Sequence, residues 1–380
     1  MSPTPVTFTA PSPPTAYAWE ATDEEVAARY GLPIEAIARF DLNTSPTPPA
    51  VAERRLARGA FETGLSEYPP ADYRRLVDAA ARRYGVNRED ILVGAGADEV
   101  LDIAAKAFLP AGSIAIIPSP SYAMYRVLSE QRAAVVTAVP RRGAADGYAI
   151  DLDATRAAAR GASLIWLCSP NNPTALPEPD GAIAGLLDSL AADAVTNQFR
   201  PPAVLLDEAY AEFVGQSLVE LRRSYPRLVI VRTLSKGYGL AGLRVGFAIS
   251  DPATIAEMAP YRPPGSVSVV SVSVATAALE DDTATDANLE RVVGERARLA
   301  RALAEAGWSI GPSVTNFLLA DFGNPERAAA VAEAMLRRGL VPRTFGPTHP
   351  LAAHLRLTIR DTAQNDRLIA AALEIEGGKP

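Results

Sequence analysis

Between residues 72 and 250 the chain repeats one rhythm, in which helical stretches alternate with short runs of β-branched and apolar residues. The runs are ILVG at 91, SIAIIP at 113, AAVVTAV at 133, ASLIWLC at 162, AVLLD at 203, LVIVRT at 228 and LRVGFAI at 243. Several are apolar throughout, as strands are when helices cover both faces of their sheet. The segments DYRRLVDAAARRYG (72–85) and DEVLDIAAKAFLP (98–110) read as helices, each with an acidic start and a glycine or proline stop. This alternation predicts an α/β fold whose sheet is doubly wound and mostly parallel. After YRPPGS (261–266) the character changes to long Ala/Arg/Glu helices near 286–306 and 325–338, interleaved with the strands TNFLLADF and HLRLTI. Asn324 is a good cap, Pro325 suits the first helical position and Gly339 is a good stop. The expected organisation is an N-terminal arm over 1–45 that contributes to the small domain, a large domain over 46–265 and a smaller α+β domain over 266–380. The opening MSPTPVTFTAPSPPTAYAWE has neither a basic start nor a continuous apolar segment, so it reads as a flexible arm and not as a secretory signal.

Composition narrows the classes. The length of 380 residues allows a sizeable core and roughly two domains. With 48% hydrophobic and 21% charged residues, and no apolar run of about 18 residues, the chain reads as soluble, with no membrane partner. A formal net charge of -7 argues against nucleic acid as a partner. The single cysteine, Cys168, cannot form an internal disulfide, which fits a reducing cytoplasm. Two histidines and one cysteine leave little for a zinc site, so no metal is expected.

Arginine outnumbers lysine by 34 to three, and one of the three lysines, Lys236, stands in TLSKGYGLAGLRVG between a serine and a run of glycines. Arginine stays protonated and cannot act as an amine nucleophile, whereas a lysine amine can lose its proton and condense with a carbonyl. Around it, Ser235 and Arg244 are phosphate-binding types, a hydroxyl donor and a bidentate fork. The glycines at 237, 239, 242 and 246 let backbone pass close to a bulky ligand. In AVLLDEAYAEF, Asp207 ends an apolar strand, where ligands sit in open α/β sheets. A carboxylate there can keep a pyridinium nitrogen protonated, and Tyr210 can hydrogen-bond a phenolic oxygen; a buried aspartate capping the next helix is the plainer alternative. ILVGAGADEVLD runs from strand through glycines into a helix whose first amides, at Gly96, Ala97 and Asp98, can receive a phosphate. LIWLCSPNNPTAL ends a strand in an Asn/Pro cluster that by itself means only a turn.

Taken together these segments resemble the fold-type I, pyridoxal 5'-phosphate-dependent enzymes of the aspartate-aminotransferase superfamily, over at least residues 40 to 370. S-K-x-x-G-L-A-G-x-R-x-G is matched in full, and G-x-G-A-D-E, S-Y-x-M-Y, S-P-N-N-P-T, D-E-A-Y and a late L-R-x-T follow the order and spacing of the histidinol-phosphate aminotransferase family. The resemblance implies that Lys236 bonds the cofactor aldehyde and later moves the proton between the substrate α-carbon and C4'. It implies that Asp207 keeps the pyridine ring protonated, that Asn172 and Tyr210 meet the 3'-oxygen, and that Tyr122 stacks on the ring. Ala97, Asp98, Ser235 and Arg244 match the phosphate cup, with Gly96 beside them. Tyr68, in LSEYPPADY, matches a tyrosine reaching the phosphate from a neighbouring subunit, which implies a homodimer with shared sites. Arg356 matches the arginine for the substrate α-carboxylate, Asn316 falls in the family's N-F motif, and Arg343 matches an arginine that helps bind the substrate phosphate or carboxylate.

Three positions depart from that pattern. N-E-N-P-Y-G reads N-T-S-P-T-P over 43–48, so the tyrosine that meets an imidazole is absent, and Ala175 and Arg360 stand where glycines are usual. The expected activity is ping-pong transamination from L-histidinol phosphate to 2-oxoglutarate. An aromatic amino acid aminotransferase and a threonine-phosphate-type decarboxylase are the alternatives. GWSIG at 307–311 formally matches G-x-S-x-G, with His349 and His354 following, but it lacks the strand-then-helix context a serine nucleophile needs. In ILVGAGADE the third glycine of a dinucleotide fingerprint is Glu99, and no G-x-x-x-x-G-K-[ST] accompanies the acidic strand AVLLDE.

Overall fold

The computed structural model describes residues 16–59, 61 and 63–377; the first 15 residues of the proline-rich arm lie outside the described residues. A short first strand, β1 (Ala38–Phe40), precedes the main sheet. That sheet is built from β2 (Ile91–Gly94), β3 (Ile114–Ser119), β4 (Val135–Pro140), β5 (Leu164–Cys168), β6 (Ala203–Asp207), β7 (Leu228–Thr233) and β8 (Gly246–Ile249), in the order β2-β8-β7-β6-β5-β3-β4. Every run singled out in the sequence is therefore a strand. The helix-like segments become Arg74–Tyr84 and Ala97–Phe108.

The sheet explains its own composition. Ile165, Leu167, Val204, Leu206 and Ile230 point into a core on one face. Leu164, Trp166, Leu205, Val229 and Val231 point into a core on the other. Successive side chains of a strand alternate between faces, so in a sheet covered twice apolar residues are favoured at successive positions.

One strand runs the other way. β8 pairs antiparallel with both β7 and β2, while the pairs among β3, β4, β5, β6 and β7 are parallel. The connection from β7 to β8, residues 234–245, holds only a 3-10 turn at Ala241–Leu243 and builds no helix to cross the sheet as the connection to a parallel neighbour does. Lys236 lies on this short connection.

Beyond the main sheet, β9 (Ser309–Ile310), β10 (Phe317–Asp321) and β12 (His354–Thr358) form an antiparallel sheet in the order β12-β10-β9, and β11 (Leu340–Pro342) pairs in parallel with β1. The helices Asp286–Glu305 and Pro325–Leu336 supply Leu299, Leu303, Val331 and Met335 to a separate core that also takes Phe40 from β1. Asn324 caps the second of these, accepting the Arg327 N–H at 2.8 Å. The helix Val269–Glu280 lies past residue 265, yet its Val274, Ala275 and Leu279 belong to the core of the main sheet. Ser309 sits on a two-residue strand that leads into no helix, unlike the serine of a nucleophile elbow.

Candidate active site

The parallel strands β5 and β6 and the neighbouring β7 end on the same side of the sheet, and a cavity of about 240 Å³ opens there. Its wall includes Ala97, Asp98, Tyr122, Asn172, Asp207 and Tyr210. Ser235, Lys236, Arg244 and Arg356 complete the set, so ten of the residues singled out in the sequence converge on one space. Gly96 stands directly before Ala97 as the N-cap of the helix Ala97–Phe108. Arg343 lines an adjoining cavity of about 290 Å³ that shares Arg356, Tyr122 and Asn172 with the first. Tyr68 is not brought to the cavity in this chain: it is 88% exposed, beside Gly265.

Lys236 donates to the backbone carbonyls of Leu42 at 3.2 Å and Asn43 at 3.1 Å. Burial, and after it the Arg356 guanidinium, lowers its amine to about 8. A lysine so placed has an appreciable neutral fraction near physiological pH, as carbonyl chemistry requires. Asp207 shows the opposite displacement. Burial pushes its carboxyl up to about 6, opposed by hydrogen bonds from the Tyr125 hydroxyl at 2.8 Å and the Ala209 N–H at 3.0 Å. A carboxylate kept from water but held by two donors suits a nearby cation, and a protonated ring nitrogen is one.

At the other end of the cavity the donors gather. The helix Ala97–Phe108 begins at the cavity, and the first amides of a helix have no partner within it. Thr233 donates to Ser235 Oγ at 3.0 Å, which leaves the serine proton free for an acceptor in the cavity. Arg244, in a left-handed conformation with φ 51°, pairs with Asp98 at 3.3 Å. A Cβ on Gly96 would stand 2.5 Å from the Arg244 guanidinium, and one on Gly246 would stand 2.5 Å from the Gly96 carbonyl carbon. These glycines let β8, the helix start and the arginine close into one cradle of donors.

The middle of the cavity is aromatic and amide. Tyr122 donates to Asp98 at 3.1 Å and packs edge-on to Tyr125, whose ring stacks on Trp166. The Tyr210 hydroxyl accepts from Asn43 Nδ2 at 3.0 Å, and Asn172 Oδ1 accepts from Arg356 Nη1 at 2.6 Å. Arg356 also donates to the Asp41 carbonyl, while its buried Nε has no partner among the described residues. An amine, an opposed carboxylate, a phosphate-sized cradle and a ring wall fit pyridoxal 5'-phosphate. The unsatisfied guanidinium nitrogen fits a substrate carboxylate.

Several participants carried no signal that the sequence reading used. Tyr125, the second tyrosine of S-Y-x-M-Y, meets Asp207 only once the fold sets its ring on Trp166 of β5 beside the end of β6. Leu42, Asn43 and Thr44 line the cavity from the segment after β1, although they lie more than 190 residues from Lys236 in sequence. Tyr17 and Trp19 line it from the expected arm. Asn316 donates to the Asn43 carbonyl at 3.0 Å. Ala175 has φ 67°, a backbone region where glycine is favoured, and Arg360 is tied to Thr44 and to Gln364.

A family model described as aminotransferase class I and II matches residues 38–371. A histidinol-phosphate aminotransferase of Roseiflexus castenholzii is 34% identical over 360 residues, covering 93% of each chain. Another, from Symbiobacterium thermophilum, is 36% identical over 334 residues and 86% of each chain. Among solved structures, histidinol-phosphate aminotransferase from Sinorhizobium meliloti in complex with pyridoxal-5'-phosphate superposes with a TM-score of 0.84 at 25% identity, covering 95% of this chain and 96% of that one. Matches of this length reach well past the cavity into the cores of both sheets, so the likeness is one of whole chains, and the protein belongs to the class I and II aminotransferases, enzymes that depend on pyridoxal phosphate.

Proposed function

We propose that this aminotransferase takes the amino group of L-histidinol phosphate, leaving imidazole acetol phosphate, and passes it to 2-oxoglutarate as a cytoplasmic step of histidine biosynthesis. The observation that carries the reading is a pair of arginines. Arg343 and Arg356 face each other across a β-bridge, with backbone hydrogen bonds of 3.0 Å in both directions, and both line the cavity beside Tyr122. Arg356 suits the anionic group that both substrates bring to one place, the donor's phosphate or the acceptor's α-carboxylate, and Arg343 suits the acceptor's second carboxylate. The curated relatives that share a third of the sequence carry the same activity in their names.

When bound, pyridoxal 5'-phosphate supplies a carbonyl and an electron-withdrawing ring. The chain does the rest. Ser235, Arg244 and the amides at Ala97 and Asp98 bind the phosphate, Tyr122 offers a stacking face, and Asn172 and Tyr210 orient the phenolic oxygen. Asp207 holds the proton at the pyridine nitrogen, and Lys236 moves the proton at the substrate α-carbon. Tyr68, exposed here, belongs in this reading to the cavity of a second copy, which makes the working unit a homodimer. The main sheet with its helices, among them Val269–Glu280, forms the cofactor-binding part, and the smaller sheet with the segment 16–45 the part that covers the substrate.

The test is a set of half-reaction spectra on the purified holoenzyme. Histidinol phosphate should convert the cofactor to its amino form, and 2-oxoglutarate should reverse the change. A response to phenylalanine alone would assign an aromatic aminotransferase. Release of carbon dioxide from threonine phosphate would assign a decarboxylase, whose fold this chain shares with L-threonine-O-3-phosphate decarboxylase from Porphyromonas gingivalis at a TM-score of 0.74.

A further inference from the structure

The 290 Å³ cavity beside the lysine site ends in an anion site that already holds an anion of the protein's own. Glu20 Oε1 accepts the Thr344 N–H at 2.8 Å and the Thr344 hydroxyl at 2.9 Å, and lies 3.6 Å from Arg343 Nη1. Both charged side chains are largely out of water, Arg343 at 15% and Glu20 at 17% exposed. Arg343 also donates to the Ala18 carbonyl at 2.7 Å, and its guanidinium stands over the Tyr17 ring. His349 lines the same cavity; its Nδ1 accepts the Leu351 N–H at 3.0 Å, so in the neutral ring the proton sits on Nε2. Guanidinium, amide and hydroxyl donors thus surround one carboxylate that comes from the chain itself.

That carboxylate is on a segment with a fixed root. Arg39 Nη1 binds the Ala21 carbonyl at 2.6 Å and Asp23 at 3.1 Å, and Thr22 caps the helix Asp23–Tyr30 in a capping box with Glu25. Residues 17–20 precede this root and touch the cavity through the contacts just described. Trp19, although it lines both cavities, is 74% exposed.

We propose that Glu20 is an exchangeable counter-ion for Arg343: it neutralises the anion site when the bound substrate places no second anionic group there, and yields it to the far carboxylate of a dicarboxylic acid. A transaminase that binds two unlike side chains at one place meets a charge problem in one half-reaction or the other, since a bare arginine against a neutral group is poorly compensated. Glu20 and its donors resolve it within the chain. The inference rests on the reading that a dicarboxylic 2-oxo acid is the acceptor, and it makes Glu20 a specificity-determining residue outside the catalytic machinery.

Calorimetric titration of the holoenzyme with glutarate and with butyrate tests it, since the two differ by one carboxylate and neither is turned over. The wild type should prefer glutarate. Glu20→Gln should bind glutarate about fivefold tighter and butyrate within twofold of the wild type. Arg343→Gln should lose the preference, and Glu20→Gln should add nothing on that background. Trp19 emission, taken as the difference from Trp19→Phe, should respond to glutarate and not to butyrate. A preference for glutarate that Glu20→Gln leaves unchanged or weakens, or a Trp19 signal indifferent to glutarate, overturns the exchange alone. A wild type with no preference overturns the acceptor assignment and the exchange together.

Discussion

Replacing Tyr125 by phenylalanine removes one hydroxyl and little else, because the ring keeps its stack on Trp166 with centroids 5.2 Å apart. The hydroxyl donates to Asp207 Oδ2 at 2.8 Å inside the protein. A buried hydrogen bond to a charged acceptor contributes about 1.5–3 kcal/mol, which corresponds to roughly one to two pH units for the acceptor. Burial already holds Asp207 at about 6, so without Tyr125 the carboxyl of the cofactor-free protein should titrate at roughly 7–8 and be largely neutral at pH 7. Seating a protonated pyridine nitrogen needs the ionised form. The affinity of Tyr125→Phe for pyridoxal 5'-phosphate at pH 7 should therefore fall about twofold to tenfold, as the ionised fraction does, read by absorbance titration of the cofactor-free protein. On an Asp207→Asn background the same change should have almost no effect. Stability carries the same signature with a definite sign. An acid whose folded-state value lies above the unfolded one, near 3.9, takes up protons on folding; its contribution is present at low pH and is lost as pH rises through 6, about 3 kcal/mol in all. In Tyr125→Phe that loss should continue to about pH 8, as urea unfolding between pH 4 and 9 would show. An unchanged cofactor affinity, with no displacement of the stability profile, would refute the coupling of Tyr125 to Asp207.

Four further outcomes follow from the site. Lys236→Arg should retain the positive charge and lose turnover by at least about a thousandfold, and borohydride should no longer fix the cofactor to the chain. In the wild type the rate of cofactor capture should climb as pH passes about 8, and Arg356→Gln should move that midpoint upward by removing a neighbouring positive charge; a wild-type midpoint near 10 would contradict the effect of burial. Gly246→Ala should lower the stability by about 3 kcal/mol and weaken the cofactor, because the new methyl meets the backbone of Gly96 and Ala97, which cannot rotate away as a side chain would; thermal melts and cofactor titration check it. Inactive Lys236→Ala and weakened Tyr68→Phe subunits, mixed and allowed to exchange, should give hybrids in which one cavity carries both lesions and the other neither; activity that never recovers on mixing would remove Tyr68 from the neighbouring site.

What could be read from the sequence divides along a physical line. Local chemistry was legible, because a strand covered on both faces is mostly apolar and one of only three lysines in an arginine-rich chain is chemically conspicuous. The strand positions, Asp207 at the end of β6 and the donor types around Lys236 followed from that. What depends on chain reversal was harder to see. The antiparallel course of β8 goes with a 234–245 connection that builds no crossover helix, which the apolar run LRVGFAI does not itself express. Partners far apart in sequence left least trace: Tyr125 under Asp207, Leu42 and Asn43 on the lysine amine, and Glu20 on Arg343 each need the folded chain to bring them together.

Asn43 gathers much of the molecule at one point. Its N–H and Oδ1 meet Thr358, its Nδ2 meets Tyr210, and its carbonyl receives both Lys236 and Asn316. Two of these neighbours belong with the main sheet and two with the smaller one, so a rigid-body displacement of either part would be transmitted to the lysine through a peptide oxygen. No exchange of side chains can delete that oxygen, which leaves substitution little purchase on this linkage and makes backbone chemistry, such as an ester in place of the 43–44 amide, the direct means of weakening it.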